Sequence, residues 1–420
     1  MMNRRPQIRR FPGGSELKSK MRLRLFATFM AVLIVLGTGV LTPPAEAQGR
    51  GGRGGRGGGP GGRGGPPPEA DLTTIRMPPG FRIRMYTDQV PAARSMVLGD
   101  NGTVFVGTFG QLTGQGNPGV VYAVRDTNSD GAADEVSTIA EGLNQPNGVA
   151  FYDGDLYVAE MQRVLRYNDI ESRLSNPPEP VVIAEGFLDS GNHQWRYIEF
   201  GPDGKLYMAV GAPVNVGVPE EGYGAIIRMN PDGSDREIYT TGVRNSVGLA
   251  FHPGNGQLWF TDNGRDMMGD NVPSDELNHA TEAGQHFGFP YCHQGDVPDP
   301  EFGTPAACDQ YRGPAVKMGP HVAALGLDFY EGDMFPAEYQ GELFVAQHGS
   351  WNRSNPLGYR LVLVHINDGE SAAGQRIFAE GWLQGTQAWG RPSDVIDLPD
   401  GSLLVSDDLQ GNIYRITYEP

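Results

Sequence analysis

The chain has 420 residues, with 33 Lys and Arg against 50 Asp and Glu, and a formal net charge of −17. A surface this acidic argues against binding to nucleic acid, whose phosphates require a basic face. Glycine (61 residues) and proline (33 residues) are abundant, and aromatic residues make up 9% of the chain. This composition predicts a globular, turn-rich body with a substantial core.

Residues 1–47 have the order of an export signal. Eight Lys or Arg fall within the first 24 residues, Leu25 to Leu41 is uncharged and mostly apolar, and Ala45 and Ala47 provide small residues for cleavage. This order predicts export to the periplasm or the medium, with cleavage near Ala47. The alternative is an uncleaved membrane anchor, which would be the one membrane contact that the sequence allows. A mostly apolar run of 17 residues is short for a membrane span.

Residues 48–70 form a Gly/Arg/Pro-rich stretch that contains "GRGGRGGRGGGPGGRGGPPP". Such a composition cannot bury apolar surface, and we expect a disordered linker. The chain from 71 to 420 is then left as one catalytic domain.

Residues 71–420 contain a sixfold repeat of strand, tight turn and strand, as in "VAFYDGDLYVAE" and "IEFGPDGKLYMAV". The turn glycines are Gly102, Gly154, Gly204, Gly256, Gly341 and Gly401, separated by 52, 50, 52, 85 and 60 residues. This period predicts an all-β, six-bladed β-propeller of four-stranded antiparallel blades, because a small sheet must stack on its neighbours to bury both faces. The two longer steps predict insertions in blades four and five.

Polar side chains recur at one phase of this repeat, just before the inner strand or just after the second strand of a blade. Both positions reach the same face of a propeller, so these side chains are predicted to meet at one mouth of the central channel. The set is His193, Arg244, Asn245, His321, His348, Asn352, Arg353 and Arg391. Taken singly, each has a structural alternative, since a polar residue before a strand commonly satisfies loop backbone groups.

The arginines of this set indicate the charge of the ligand. Several guanidinium groups in one enclosed mouth repel each other without an anion, which predicts an acidic ligand or a carboxylate-bearing cofactor. His193 is then the natural proton acceptor, because the pKa of histidine lies near neutrality.

Two acidic stretches resemble calcium sites. "DTNSDGAADE" places oxygen ligands at alternate positions, and its candidate ligands are Asp126, Asn128, Asp130 and Asp134. A solvated acidic turn is the alternative. In "TDNGRDMMGDNVPSDELN", the backbone carbonyls of Gly264 and Arg265 and the side chain of Asp266 are the candidates.

The chain has two cysteines, Cys292 and Cys308, in one Gly/Pro-rich stretch. In an oxidising compartment a disulfide that closes this loop is the expected state. No zinc motif of the His-Glu-x-x-His or paired-cysteine kind is present in the sequence.

Several separated motifs resemble the glucose/sorbosone dehydrogenase family, and within it the sorbosone dehydrogenase-like branch. They are "GNHQW", "GVRNSVGLAF", "LWFTDNGRDMMGDNVPSDELN", "HGSWNRSNPLGYR" and "GRPSDVIDLPDGSLLVSDD". Members of that family are six-bladed propellers that bind pyrroloquinoline quinone (PQQ) and calcium at the channel mouth and oxidise sugars. PQQ carries three carboxylates, which agrees with the arginines, and calcium polarises its quinone carbonyl.

The resemblance implies roles for particular residues of this chain. His193 matches the catalytic base, Arg244 and Asn245 match residues near the reactive carbonyl of the cofactor, and Gly264-Arg265 matches the calcium segment, where the best-characterised members carry Gly-Pro. By position alone, further cofactor contacts are predicted at Gln145, Asn147, Arg353 and Arg391.

The predicted function is an exported, PQQ- and calcium-dependent dehydrogenase that oxidises an aldose or sugar aldehyde and passes electrons to a soluble acceptor. Two alternatives on the same fold stay open. One is a calcium-dependent sugar lactonase, with Glu160, Asn245 and Asp262 as part of a metal cage, and the other is a non-catalytic carbohydrate-binding propeller. Fold alone does not separate them.

Overall fold

A computed structural model describes residues 68–110, 119–188, 191–367 and 369–420. The predicted export signal and nearly all of the predicted linker lie outside the described residues. Six four-stranded antiparallel sheets form the blades of a β-propeller, which confirms the predicted fold class. Within the described ranges, no helix is long and apolar enough to cross a membrane.

The strands follow one another from the centre of each blade outwards, apart from β1 (Phe81–Thr87), which belongs to the last blade. Blade 1 contains β2 (Ala93–Leu98), β3 (Val104–Thr108), β4 (Gly119–Arg125) and β5 (Glu135–Leu143). Blade 2 contains β6 (Gly148–Tyr152), β7 (Asp155–Ala159), β8 (Arg163–Tyr167) and β9 (Val181–Glu185). Blade 3 contains β10 (Ile198–Phe200), β11 (Leu206–Val210), β12 (Ala225–Met229) and β13 (Glu237–Thr241).

Blades 4 and 5 carry the predicted insertions. Blade 4 contains β14 (Leu249–Phe251), β15 (Leu258–Asp262), β16 (Ser274–Ala280) and, after an insertion with the hairpin β17 (Cys292–His293) and β18 (Val297–Pro298), β19 (Val316–Pro320). Blade 5 contains β20 (Ala324–Phe329), β21 (Leu343–Gln347), β22 (Arg360–Asn367) and β23 (Ser371–Glu380), followed by the hairpin β24 (Leu383–Gln384) and β25 (Gln387–Ala388). Blade 6 contains β26 (Pro392–Asp397), β27 (Leu403–Asp407) and β28 (Asn412–Tyr418). Short 3-10 helices span Leu72–Thr74, Ile170–Arg173, Cys308–Gln310 and Ala337–Tyr339.

The turn glycines of the repeat lie between the first and second strands of each blade, as predicted. All six have φ between +69° and +83°, a region where a Cβ atom is strained and glycine is not. The spacing of these glycines therefore records the spacing of the blades.

The ring closes through the N-terminal strand, a feature that the sequence reasoning did not predict. β1 pairs antiparallel with β28 and becomes the outer strand of blade 6. The inner strands β2, β6, β10, β14, β20 and β26 contact one another in that order, and β26 contacts β2 again. The first and last strands of the domain thus share one sheet.

The core lies between the blades, where the faces of neighbouring sheets meet. Its aromatic cluster surrounds Phe81 of β1, whose ring packs edge-on against Phe335, Tyr339 and Phe378 at centroid distances of 4.7, 5.2 and 4.8 Å. Burying a phenylalanine side chain stabilises a fold by about 1.5–3 kcal/mol. Packing as well as strand pairing therefore holds β1 in place.

The blade-4 insertion, residues 281–315, is closed by a disulfide between Cys292 and Cys308. The predicted pairing is confirmed.

Candidate active site at the propeller mouth

Five of the eight polar residues predicted at the mouth take part in hydrogen-bonded networks that join different blades: Arg244, His321, His348, Asn352 and Arg391. They form two hydrogen-bonded groups. The Arg244 cluster consists of Asn215, Arg244, Asn263, Asp266, His321 and Asn352. The Asp408 cluster consists of Arg94, Asn147, His348, Arg391 and Asp408.

Arg244 enters β14 and is only 3% exposed. Its Nε and Nη2 donate to the backbone and side-chain oxygens of Asn215 at 2.9 and 2.8 Å, and its Nη1 donates to the carbonyl of Asn263 at 2.9 Å. A second bond from Nη2, also 2.8 Å, goes to Asp266 Oδ2. The protein itself therefore provides an anion and three further acceptors for this guanidinium.

Asp266 joins blade 4 to blade 5. Its Oδ1 accepts a bond of 2.8 Å from Asn352 Nδ2, which also lies 3.4 Å from His321 Nδ1. His321 Nε2 in turn contacts the carbonyls of Gly269 and Val272 at 2.9 and 3.1 Å, in the same loop as Asp266. Both oxygens of Asp266 are thus used by side chains of the mouth.

Asp408 follows β27 and is fully buried. It accepts bonds from Arg94 Nη1 at 3.0 Å, from Arg391 Nε at 2.9 Å and from His348 Nε2 at 3.0 Å. Arg94 also donates from Nε to Asn147 Oδ1 at 3.0 Å. This cluster therefore joins blades 1, 2, 5 and 6 around one carboxylate.

Burial alone would raise the pKa of Asp408, but the charges of Arg391 and Arg94 and the contact with His348 hold it well below its ordinary value. Burial also lowers the pKa of His348 to about 4 in spite of Asp408. Asp408 is ionised and His348 is neutral at physiological pH.

His193 enters β10 and is 7% exposed. Its Nδ1 lies 2.7 Å from the carbonyl oxygen of Ala212. A carbonyl can only accept, so Nδ1 carries the ring proton and Nε2 keeps a free lone pair. Burial and the nearby charge of Arg244 lower the pKa of His193 well below its ordinary value, so the ring is a neutral base.

The arginines of the mouth do not lack anions, because the protein supplies a carboxylate to each of two of them. Arg244 faces Asp266, while Arg391 faces Asp408. Spare donors remain: no described residue accepts from the Nη atoms of Arg391 or from Nη2 of Arg94. The Arg391 side chain is also partly exposed.

The other predicted cofactor contacts differ in position. Asn147 belongs to the Asp408 cluster, and Oε1 of Gln145 is buried with no donor among the described residues. The side chain of Arg353 instead turns to its own loop, with Nε 3.1 Å from the carbonyl of Asn355, and makes no bond to either cluster. Asn245 lies beside Arg244, and its backbone N–H donates to Asp262 Oδ1 at 2.6 Å. Its side-chain Oδ1 has no donor among the described residues.

The loop that contains Asp126, Asn128, Asp130 and Asp134 forms an acidic turn with its oxygens in use. Asp134 Oδ2 accepts from the N–H groups of Thr127 and Asn128 at 2.8 and 3.2 Å, and Asp126 accepts from Asp130 and Gly131 at 3.2 and 2.8 Å. Across the part of the chain that the structure covers, no group of three or more His, Cys, Asp or Glu is arranged to hold a metal.

The segment Gly264-Arg265-Asp266 carries backbone oxygens that are not used in hydrogen bonds by the described residues. No described residue donates to the carbonyl oxygens of Gly264 or Arg265, and Oδ1 of Asn245 and of Asn263 are likewise without donors. Neutral oxygens on two hydrogen-bonded segments are ligands that calcium accepts. The side chain of Arg265 points away from them, to Asp299 and Glu301.

Glu160, a member of the proposed lactonase cage, is already engaged by Arg163 and by the N–H of Asn144. Both oxygens of Asp262 accept backbone N–H groups, from Arg244 and Asn245. The carboxylate oxygens of this cage are therefore already hydrogen-bonded within the protein, whereas the amide oxygen of Asn245 has no donor among the described residues.

A small cavity of about 10 Å³ lies between the mouth and the blade-4 insertion, lined by Arg244, Asp262, Glu276 and His293 among others. Burial raises the pKa of Asp262 and of Glu276. Deeper in the ring, the inner strands of blades 3, 5 and 6 contribute Glu199, Asp328 and Asp394, and burial raises the pKa of each of them.

Arg94, Asp408 and Asn215 were not singled out by the sequence reasoning. Asp408 lies in "SDDLQG", at the same phase as the Asp and Asn residues after β15, so the repeat held a signal for it. Arg94 lies within the inner strand of blade 1 and Asn215 in a loop between strands, where no pattern distinguishes them.

The chain is similar in sequence to known proteins. The chain is 32% identical over 361 residues to an uncharacterized protein of Borreliella burgdorferi, over 83% of this chain and 92% of that one. It is 24% identical over 253 residues to aldose sugar dehydrogenase YliI of Escherichia coli, over 55% of this chain and 61% of that one.

Solved structures have the same propeller. A Trichoderma reesei enzyme of carbohydrate-active enzyme family AA12 superposes with a TM-score of 0.71 at 18% identity, covering 82% of this chain and 98% of that one. The PQQ domain of pyranose dehydrogenase from Coprinopsis cinerea gives 0.69 at 19% identity, covering 84% and 99%. PQQ-bound aldose sugar dehydrogenase from Streptomyces coelicolor gives 0.58 at 18% identity, covering 82% and 100%. A family model described as "Domain of unknown function (DUF7133)" matches residues 67–415, and the chain belongs to that family.

Proposed function

We propose that the protein is a PQQ- and calcium-dependent sugar dehydrogenase that oxidises an aldose or a sugar aldehyde of the glucose or sorbosone type. The observation that carries the proposal is His193, a buried neutral imidazole with Nδ1 fixed on Ala212 and Nε2 free, beside Arg244. A free lone pair at an enclosed mouth is what removal of a hydroxyl proton requires. The propeller fold that this chain shares with solved sugar dehydrogenases supports the same assignment.

The residues present fit both cofactors. The Nη groups of Arg391 and the Nη2 group of Arg94 have no acceptor among the residues that the structure describes. These donors suit the carboxylates of PQQ. Four oxygens near the mouth have no donor among the residues that the structure describes: the backbone carbonyls of Gly264 and Arg265 and the side-chain amide oxygens of Asn245 and Asn263. Oxygens of this kind suit calcium.

In this proposal His193 Nε2 takes the proton of the anomeric hydroxyl, and the carbonyl of Ala212 orients the ring through Nδ1. The charge of Arg244, held by Asp266, disfavours imidazolium before substrate arrives and so keeps the base free. PQQ, held by the donors of Arg94 and Arg391, would supply a quinone as the hydride acceptor.

The decisive experiment adds PQQ and calcium to the purified protein and follows reduction of a dye with a panel of aldoses, sorbosone and lactones. Turnover of a sugar that requires both additives supports the proposal. Lactone hydrolysis with calcium alone indicates the lactonase, and saturable sugar binding without turnover indicates a binding propeller. Either of these two results overturns the proposed dehydrogenase function.

We also propose that the protein works in the periplasm or the medium and passes electrons to a soluble acceptor. The signal-like order of residues 1–47 and the disulfide between Cys292 and Cys308 support export. Fractionation of the producing cells tests this proposal, and recovery of the protein in the cytoplasm with free thiols contradicts it.

A further inference from the structure

Arg265 occupies the middle of the proposed calcium segment, yet its side chain leaves the mouth. It is 8% exposed, and its guanidinium pairs with Asp299 and with Glu301 of the blade-4 insertion. The next residue, Asp266, points the other way and pairs with Arg244. Consecutive side chains therefore fix this short piece of backbone from opposite sides.

The acceptor of Arg265 is itself held in place. Asp299 is buried, and its Oδ1 accepts from the N–H groups of Glu301 and Phe302 at 2.8 and 2.9 Å. Its Oδ2 also lies 2.8 Å from Nε2 of His293. His293 follows Cys292, one end of the disulfide that closes the insertion. Asp299 is therefore a fixed point, whereas the Glu301 side chain is largely exposed and contributes little to the pairing.

Side chains also hold the backbone on either side of Arg265. The N–H of Asp266 donates to Asn215 Oδ1 at 2.9 Å, and the carbonyl of Asp266 accepts from Asn215 Nδ2 at 3.2 Å. The N–H of Gly264 donates to Asp275 Oδ1 at 2.8 Å. Among the described residues, nothing donates to the carbonyls of Gly264 or Arg265. The direction of these carbonyls therefore depends on the neighbouring side chains, and the Arg265 side chain is the one that reaches the insertion.

We propose that Arg265 is a positioning residue, whose pairing with Asp299 transmits the geometry of the disulfide-closed insertion to the Gly264–Asp266 backbone. This pairing aims the carbonyl oxygens of Gly264 and Arg265 and keeps Asp266 on Arg244. The loop-positioning part stands on the contacts alone, and the calcium part rests on the proposed function. In this proposal the blade-4 insertion holds the Gly264–Asp266 loop of the mouth in position.

The first test measures hydrogen exchange of the 263–273 amides in the full chain. Arg265→Ala is expected to speed exchange there at least tenfold, Asp299→Asn to act in the same direction, and Arg265→Lys, which keeps one charged contact, to restore part of the protection. Arg228→Ala is the matched control, because Arg228 also bridges two carboxylates, Asp203 and Glu237, in blade 3. Unchanged exchange in both Arg265→Ala and Asp299→Asn, or an equal effect of Arg228→Ala, overturns the proposal.

The second test asks whether the insertion acts through Arg265. Replacing both Cys292 and Cys308 by serine is expected to speed exchange of the same amides in the parent chain, and to add little when Arg265 is already alanine. Full additivity of the two changes contradicts the coupling.

Calcium titration by calorimetry in the presence of PQQ provides a readout other than activity. Arg265→Ala is expected to weaken calcium binding at least tenfold, while Arg228→Ala leaves it unchanged. Equal affinity in the parent chain and in Arg265→Ala overturns the calcium part. A parent chain that binds no calcium contradicts the proposed calcium site, and the exchange data then still decide whether Arg265 positions the loop.

Discussion

At the scale of single residues, the mouth is a set of charges that the protein has already paired. Asp266 faces Arg244, and Asp408 faces both Arg94 and Arg391. His193 and His348 stay neutral between these groups because both are buried next to arginines. The mouth therefore holds two neutral imidazoles at physiological pH.

His193→Ala is expected to lower kcat by about 10²–10⁴-fold, the usual contribution of a general base. Cofactor binding should be largely retained, since the residue donates only to Ala212. Steady-state kinetics and a PQQ titration check both. Near-normal turnover would assign the base to another residue, with His348 the first to examine.

The pH profile gives an independent check on His193. Burial and Arg244 lower its pKa below 6.5, so the basic form persists as the pH falls and activity is lost only below that value. We expect the acidic limb of kcat/KM to lie below pH 6.5. A limb at pH 7 or above contradicts the neutral imidazole described for this site.

Asp408→Asn is expected to destabilise the fold by about 3–5 kcal/mol, because it leaves the buried guanidinium of Arg94 without its anion. Urea unfolding measures the change. Asp100→Asn, at an exposed turn of blade 1, is the control and should stay within about 0.5 kcal/mol of the parent. Equal stability of the two variants would show that Arg94 finds another partner.

At the scale of elements, packing between neighbouring sheets holds the blades together in addition to the hydrogen bonds within each sheet. β1 shows this, since Phe81 contacts Phe335, Tyr339 and Phe378 in addition to its place opposite Tyr418 on β28. The strand is therefore an integral part of blade 6.

Phe81→Ala is expected to lower the free energy of unfolding by about 3–5 kcal/mol, as is usual when a buried phenylalanine is truncated. Chemical denaturation measures it. The control is Phe302→Ala in the blade-4 insertion, where the ring is 37% exposed, and where a loss below about 1 kcal/mol is expected. A parent-like midpoint for Phe81→Ala would show that β1 adds little to the closed ring.

The elements that sequence could predict are those with a local signal. A glycine with positive φ is required at each turn, so Gly102 to Gly401 revealed six blades. Among the residues that the phase of the repeat selects, Arg244 and Asn352 share Asp266, and His348 and Arg391 share Asp408. The pairing of β1 with β28 has no such signal, because it depends on the ring closing in three dimensions. The direction of the Arg353 and Arg265 side chains likewise depends on loops whose shape the repeat does not determine.

At the scale of the whole molecule, acidic residues are concentrated inside the ring as well as on its surface. Glu199, Asp328 and Asp394 come from different blades, yet the charge of Asp394 helps to raise the pKa of both others. They therefore lie near one another around the axis. Burial, the larger cause, raises the pKa of Glu199 to about 8 and that of Asp394 to about 7.

These groups should make stability fall as the pH rises. The folded chain keeps a proton on Glu199 up to about pH 8, whereas an unfolded chain releases it near its ordinary value, so folding loses stability across that window. Glu199→Gln is expected to be more stable than the parent by about 1–3 kcal/mol at pH 8 and equal to it at pH 4. Urea unfolding at both pH values measures this, with exposed Glu185→Gln as the control. An equal difference at both pH values would contradict the titration.

The place of β1 has a consequence for synthesis. A ribosome releases this strand before any other strand of the propeller, but its partner β28 is the last strand of the propeller to emerge. Until then β1 is an unpaired edge, and unpaired edges are where chains associate wrongly. The earliest strand to be made is thus the latest to find its neighbour, and the incomplete propeller has to be kept from aggregating until β28 has been made.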